Sequence, residues 1–183
     1  MAIDDWEARY QAMQAPSGDP DPLVMEIAGG VQSGRALDLA CGAGANTLWL
    51  AERGWDVTAV DRSPAAIEIV RRSAALRGAH VTALVADLEA HEFVIAPGSW
   101  DLILMCRYLQ RDLFEPAKLG LAPDGALIVI ALLADSGKHR FRVEPGELAR
   151  CFADSSGWTI IQQRERATRD HAVSEIVVRR DIG

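Results

Sequence analysis

The feature that most constrains this chain is a repeated alternation, from Arg35 onward, of short apolar runs with helical segments. Residues 36–40 read as a strand, and Gly42-Ala43-Gly44 as a tight turn. Residues 45–53 read as a helix that Gly54 is placed to end. Residues 57–60 form the next strand, stopping at Asp61. Ser63-Pro64 then starts a helix, with a capping hydroxyl followed by proline at the first helical position. Ile67, Val70 and Ala74 line one face of that helix, and Gly78 closes it. Residues 81–86, 101–105 and 126–133 are further strands, apolar nearly throughout, which predicts cover on both faces. Residues 147–152 read as a late helix. Residues 158–163 and 173–178 read as two closing strands around a polar turn at Arg169-Asp170. Strands and helices alternating at this period predict an α/β fold: a Rossmann-like, doubly wound, mostly parallel sheet with a C-terminal antiparallel hairpin.

The segment before the alternation differs. Ile3, Trp6, Tyr10 and Met13 recur at helical spacing, and the proline-rich stretch from Pro16 to Pro22 then breaks the chain before a second short helix over residues 23–29. The expectation is one domain over residues 1–183, with residues 1–22 as a helical lid segment and linker. A lid closing over a site excludes water and completes its pocket.

Bulk properties narrow the class. The chain has 183 residues, enough for a buried core, with 49% apolar and 25% charged residues. The net charge of −7 argues against nucleic acid, whose phosphates favour a basic face. Met1 to Glu7 is acidic, unlike a signal peptide, and no apolar run reaches membrane-span length. Cys41, Cys106 and Cys151 lack metal-ligand spacing and read as reduced thiols. A cytoplasmic protein with no metal and no membrane partner is expected. The oligomeric state is left open.

In an open α/β sheet the ligand sits outside the carboxyl ends of the strands. Four features fall there: Gly42-Ala43-Gly44, Asp61, Asp87 at the end of the third strand, and Cys106-Arg107-Tyr108. A carboxylate at Asp61 can accept both hydroxyls of a ribose, and Asp87 can accept from an exocyclic amine. Those features fit any adenosine-containing cofactor. The glycine spacing separates the options, because a dinucleotide site has a third Gly or Ala facing a pyrophosphate and this chain has Thr47. Asp38 also aims a carboxylate at the site, unfavourable for a pyrophosphate and favourable for a cation or an amine. These electrostatics favour S-adenosyl-L-methionine, which carries a sulfonium and an ammonium and no phosphate.

The stretch Leu37-Asp38-Leu39-Ala40-Cys41-Gly42-Ala43-Gly44-Ala45-Asn46-Thr47 resembles the first motif of class I S-adenosylmethionine-dependent methyltransferases, and residues 54–67 resemble their second. Asp87-Leu88-Glu89 and Trp100-Asp101-Leu102 are similar to the third and fourth. Asn46-Thr47, Trp6 with Arg9-Tyr10, residues 107–114 and residues 145–148 are similar to the tellurite-resistance and thiopurine methyltransferase-like branch. The resemblance implies cofactor contacts at Asp38, Ala40, Gly42, Gly44, Asn46, Asp61, Arg62, Asp87, Leu88 and Cys106. It implies substrate contacts at Trp6, Tyr10, Arg107 and Tyr108. Ala45 and Pro123-Asp124-Gly125 depart from the branch pattern, and residues 135–143 form a shorter segment. The expected activity is direct in-line methyl transfer to a small molecule bearing a thiol, a metalloid oxyanion or a similar soft nucleophile. No residue is assigned as a general base. A non-catalytic S-adenosylmethionine-binding sensor or scaffold, and a nicotinamide-dependent oxidoreductase, are the alternatives.

Overall fold

The computed structural model describes residues 3–13, 15–16, 18–134, 140–153, 157–168 and 171–181. Arg169 and Asp170, read from sequence as the polar turn, and residues 135–139 of the shorter segment lie outside the described residues. The chain divides into two compact units, residues 1–94 and 95–183. The fold is the expected α/β, Rossmann-like one, mostly parallel with an antiparallel C-terminal pair.

The first unit contains α1 (Ile3–Gln11), α2 (Pro22–Gly29), β1 (Arg35–Leu39), α3 (Ala45–Ala51), β2 (Asp56–Asp61), α4 (Pro64–Arg77) and β3 (Val81–Val85). Its strands run parallel in the order β3-β2-β1. Helix boundaries follow local chemistry. Asp21 caps α2 by accepting from the Leu23 amide, with Pro22 at the first helical position. Ser63 caps α4 by accepting from the Ala66 amide, and Gly78, at φ 64°, ends it as expected. Helix α3 stops at Ala51, before Gly54, whose φ of 83° carries the exit turn instead. Helix α4 packs Ile67 and Val70 onto Ala59 and Ala83 of β2 and β3. Burial of each of these large side chains contributes roughly 1.5–3 kcal/mol.

One expectation fails here. Strand β3 is not covered on both faces: Leu84 and Val85 are exposed. Within this unit β3 pairs with β2 alone, and α4 reaches it on the face that Ala83 presents. An apolar run thus fits an edge strand as well as an inner one. The strand also ends at Val85, two residues before Asp87.

The second unit contains β4 (Trp100–Cys106), a 3-10 turn (Arg111–Leu113), α5 (Phe114–Gly120), β5 (Leu121–Leu132), α6 (Glu147–Phe152), β6 (Trp158–Ala167) and β7 (Ala172–Arg180). Its strand order is β4-β5-β7-β6, with β4 and β5 parallel and β7 antiparallel to both neighbours. Leu102 to Met105 and Leu127 to Ala131 are essentially inaccessible, as their apolar runs predict, and so are Ile176 to Val178. The hairpin strands are longer than the apolar pattern indicates. On β7 the buried Glu175 is satisfied by Arg164 at 2.5 Å and Arg166 at 2.6 Å, both on β6. A buried charge needs such partners, and they lie outside the apolar run that marked the strand. Helix α5 was not anticipated; it rests Phe114 on Phe152 of α6 at a centroid separation of 5.1 Å. Among the described residues no helix is long and apolar enough to cross a membrane.

Candidate functional site

In the first unit the chain leaves β1 through two left-handed residues, Ala40 at φ 55° and Gly42 at φ 55°, and a third, Gly44 at φ 84°, precedes α3. Ala40 is not glycine, so its conformation carries strain that the surrounding bonds must hold. The Gly44 amide donates to the Cys41 carbonyl at 3.1 Å, and the Cys41 amide to the Val60 carbonyl at 3.0 Å. Positive φ favours glycine at both positions, and a side chain at either would meet a close neighbour. A Cβ at Gly42 would lie 2.7 Å from the Tyr10 hydroxyl, and one at Gly44 would lie 2.7 Å from Val70 Cγ2.

Asp38 is buried and accepts from the Thr47 hydroxyl at Oδ2, 2.6 Å away. Burial pushes its carboxyl up to about 7; the bond from Thr47 opposes that rise and the nearby Asp61 adds to it. Thr47 therefore has a positive role. It takes the place of a third glycine and spends its hydroxyl on the one carboxylate inside β1.

Asp61 is the hub of the site. Its Oδ2 accepts from the Gly42 amide at 2.8 Å and its Oδ1 from the Ser63 amide at 2.9 Å. Burial raises its pKa against the pull of those two donors. Each carboxylate oxygen keeps a second lone pair, so the bonds leave room for two hydroxyl donors. Asp61 is also structural, because it ties the glycine turn to the start of α4 without a ligand.

Helix α1 sits on this hub. Glu7 accepts a hydrogen bond from the Ser63 hydroxyl, and the Tyr10 hydroxyl faces Gly42. Burial, with the charge of Asp61 next in size, pushes the Tyr10 phenol up to about 12. Trp6 is exposed and stacked on Tyr10 at 6.0 Å, with the Arg9 guanidinium 5.2 Å from its ring.

Other sequence-selected residues have different company. The Asn46 carbonyl accepts from the Asp21 amide at 2.8 Å, pinning the end of the proline-rich segment to α3. The exposed Arg62 pairs with Asp87 at 3.5 Å, and Asp87 Oδ1 accepts from the Glu89 amide at 2.9 Å, so Asp87 caps its own turn. Leu88 is buried. In the second unit Cys106 ends β4. Arg107 follows at φ 58°, its amide donating to the Ile130 carbonyl at 2.7 Å, and the Tyr108 hydroxyl donates to Gln110.

The structure thus brings Asp38, Gly42, Gly44, Asp61 and Tyr10 into one bonded and packed set. Sequence reasoning missed Thr47, Glu7 and Ser63 as members of it. Glu7 lies one helical turn before Tyr10, the signal that would have marked it. The side chains present suit S-adenosylmethionine on chemistry: carboxylates can accept from an ammonium and from ribose hydroxyls, whereas a carboxylate at Asp38 would repel a pyrophosphate.

A family model described as a methyltransferase domain matches residues 36–125. The 2-heptyl-1-hydroxyquinolin-4(1H)-one methyltransferase of Mycobacteroides abscessus is 41% identical over 73 residues, which are 39% of this chain and 32% of that protein. The chain spans a third to a half of the length of the curated relatives it matches. Among solved structures, TehB from Haemophilus influenzae superimposes with a TM-score of 0.73 at 19% identity, over 97% of this chain and 66% of that one. Magnesium protoporphyrin IX methyltransferase from Synechocystis, solved with bound S-adenosylmethionine, gives 0.65 at 17% identity, over 97% and 91%. The matched methyltransferase domain spans the glycine turn, Asp38, Asp61 and the carboxyl end of β4, so it is over this region that the chain is similar to methyltransferases.

Proposed function

We propose that this protein transfers the methyl group of S-adenosyl-L-methionine to a small-molecule acceptor, a thiol, a metalloid oxyanion or a similar soft nucleophile, in the cytoplasm. The observation that carries the reading is the Asp38–Thr47 and Gly42–Asp61–Ser63 constellation inside the matched methyltransferase domain. When bound, the cofactor supplies an electrophilic methyl carbon: a nucleophile's lone pair forms the new bond as the carbon–sulfur bond breaks, and its electrons pass to sulfur to leave S-adenosylhomocysteine.

The chain's own groups orient and exclude water. Asp38 accepts from the cofactor's ammonium, held in place by Thr47. Asp61 accepts from the ribose hydroxyls while fixing the turn. Ala40, Gly42 and Gly44 bring backbone close, and Asn46, Arg62, Asp87, Leu88 and Cys106 complete the proposed cofactor set. Tyr10 and Trp6 on α1, with Arg107 and Tyr108, are the proposed acceptor contacts. Residues 1–22 act as lid and linker of a single methyltransferase domain. Orientation alone supplies roughly 7–11 kcal/mol of a transfer barrier. A soft acceptor needs no strong base, which agrees with a Tyr10 phenol held up near 12, a hydrogen-bond donor at neutral pH. The similarity of the Asn46-Thr47, Trp6 and Arg9-Tyr10 signatures to the tellurite-resistance and thiopurine branch supports the same acceptor class.

The test is an acceptor screen that reads S-adenosylhomocysteine formation. It should include thiols, tellurite, selenite and hydroxyquinolones, the last because one matched relative is named for such a substrate. Turnover confined to the soft acceptors supports the proposal. Turnover confined to the hydroxyquinolone replaces the acceptor class. Tight S-adenosylhomocysteine binding with no turnover on any acceptor points to the sensor or scaffold reading.

A further inference from the structure

Glu7 belongs to neither the glycine turn nor the strand ends, yet it touches the hub of the site at one remove. The two residues that donate their amides to Asp61 are Gly42 and Ser63. The two residues of α1 that meet this region, Glu7 and Tyr10, lie three apart on one helical face and engage those same two residues: Glu7 takes the Ser63 hydroxyl, and Tyr10 faces Gly42. The Ser63 hydroxyl at the same time accepts from the Ala66 amide at 3.0 Å, so one side chain both caps α4 and holds α1. The Glu7 carboxylate stands at the amino end of a 14-residue helix, where the α4 dipole favours a negative charge. Its other oxygen accepts from Gln11 at 3.1 Å, which steadies the rotamer within α1. Helix α1 has few other anchors of this kind among the described residues. Its Trp6 is 42% exposed, Arg9 is exposed, and its connection to α2 runs through Pro16, Pro20 and Pro22. Asp61 is thus bonded to both footholds of α1.

We propose that Glu7 is a positioning residue: through Ser63 it seats α1 so that Tyr10 stands over Gly42, and it couples that seating to whatever Asp61 holds. The proposal rests on the reading that Asp61 binds the cofactor's ribose. By linkage, a ligand that orders Asp61 and its two amide donors favours the seated helix, and the seated helix tightens that ligand's binding by the same free energy; as with most affinity changes, the gain is expressed chiefly as a slower dissociation. Glu7 touches no reacting atom; it acts through Ser63 and Tyr10.

The test uses the full chain and S-adenosylhomocysteine, with Glu7→Ala and Glu7→Gln. The glutamine amide oxygen can still accept from Ser63, so it is the conservative variant. Hydrogen–deuterium exchange over residues 3–13 reads the seating of α1. The dissociation rate of S-adenosylhomocysteine reads the coupling, and thermal unfolding reads the fold. In wild type, S-adenosylhomocysteine should slow exchange in α1. In Glu7→Ala that exchange and the ligand dissociation rate should both rise on the order of tenfold, as removal of one hydrogen bond to a charged group allows. Glu7→Gln should recover most of both, with unfolding temperatures alike in all three. If wild type fails to bind S-adenosylhomocysteine, the cofactor reading itself falls. If it binds, and Glu7→Ala matches wild type in exchange and dissociation, the Glu7 proposal falls alone. It also falls if Glu7→Ala only lowers the unfolding temperature and leaves the dissociation rate unchanged.

Discussion

Thr47→Val is the sharpest perturbation of the proposed cofactor site, because it removes one hydroxyl and almost no volume. Thr47 donates to Asp38 across 2.6 Å with both residues buried. A hydrogen bond to a charged group is worth about 1.5–3 kcal/mol, which is about one to two pKa units. Asp38 already stands near 7 through burial, so Thr47→Val should carry it about one to two units higher. Near pH 7 the ionised fraction would then fall from about half to between about 1 and 10%. If the carboxylate is the ammonium's partner, S-adenosylhomocysteine affinity at pH 7 should fall about 5- to 50-fold and recover as pH is raised toward 9. The sign for the wild type follows from the same shift. Asp38 binds its proton more tightly folded than unfolded. Its contribution to the stability of the free protein is full below the unfolded value of 3.8 and is lost as pH rises through about 7. Ligand binding should strengthen over that upper range and release a proton. Calorimetry from pH 6 to 9, in two buffers of different ionisation heat, measures affinity and proton release together. Thr47→Ser, which keeps the donor, is the control. Equal affinities for Thr47→Val and wild type at every pH, with no proton released, would refute the assignment of Asp38 to the ammonium.

Further outcomes follow from the same geometry. Asp61→Ala should lower both cofactor affinity and free-protein stability, the latter by about 1–3 kcal/mol, because the Gly42 and Ser63 amides lose their acceptor; loss of affinity alone in paired melting and calorimetry experiments would contradict the structural half of that role. Gly42→Ala should abolish seating of Tyr10, whose hydroxyl would lie 2.7 Å from the new methyl, and Gly42→Ala with Tyr10→Ala should regain part of the lost stability; an unimproved double variant would place the whole cost in the backbone at φ 55°. A chain starting at Asp19 should fold but lose turnover and bind S-adenosylhomocysteine more weakly, on the order of tenfold or more, because the seated helix is gone, as read by melting, calorimetry and product formation; unfolding of the truncated chain would make α1 part of the core. Calorimetry should also detect S-adenosylhomocysteine but not NAD, and tight NAD binding alone would overturn the cofactor reading.

The elements that sequence patterning placed well share a local cause. Ser63-Pro64 and Gly78 bound α4 because a cap, a fixed proline φ and a left-handed glycine act within one turn of the chain. Strands β1, β2 and β4 were legible because continuous apolar runs between turn signals have few other uses in a chain of this length. Strand β3 shows the limit of that pattern. Residues 81–86 are as apolar as an inner strand, and exposure of Leu84 and Val85 depends on which neighbours the sheet supplies. The hairpin strands were read short for the converse reason. Arg164, Arg166 and Glu175 look like surface residues one at a time, and only their mutual pairing lets β7 bury a carboxylate.

Within the candidate site the division is the same. The sequence by itself determined the strand–glycine turn–helix unit, the carboxylates at Asp38 and Asp61, and the absence of a third glycine at Thr47. Those features depend on residue type and spacing along a few turns of chain. Tertiary structure alone decided who bonds whom. Asp61 reaches the Gly42 amide across 19 positions of sequence, Asn46 the Asp21 amide across 25, and Glu7 the Ser63 hydroxyl across 56. A hydroxyl or carboxylate has the same composition and local propensity whether it faces water, a helix end or a ligand. Its partner is chosen only when packing brings distant segments together and leaves the buried polar group no solvent to turn to.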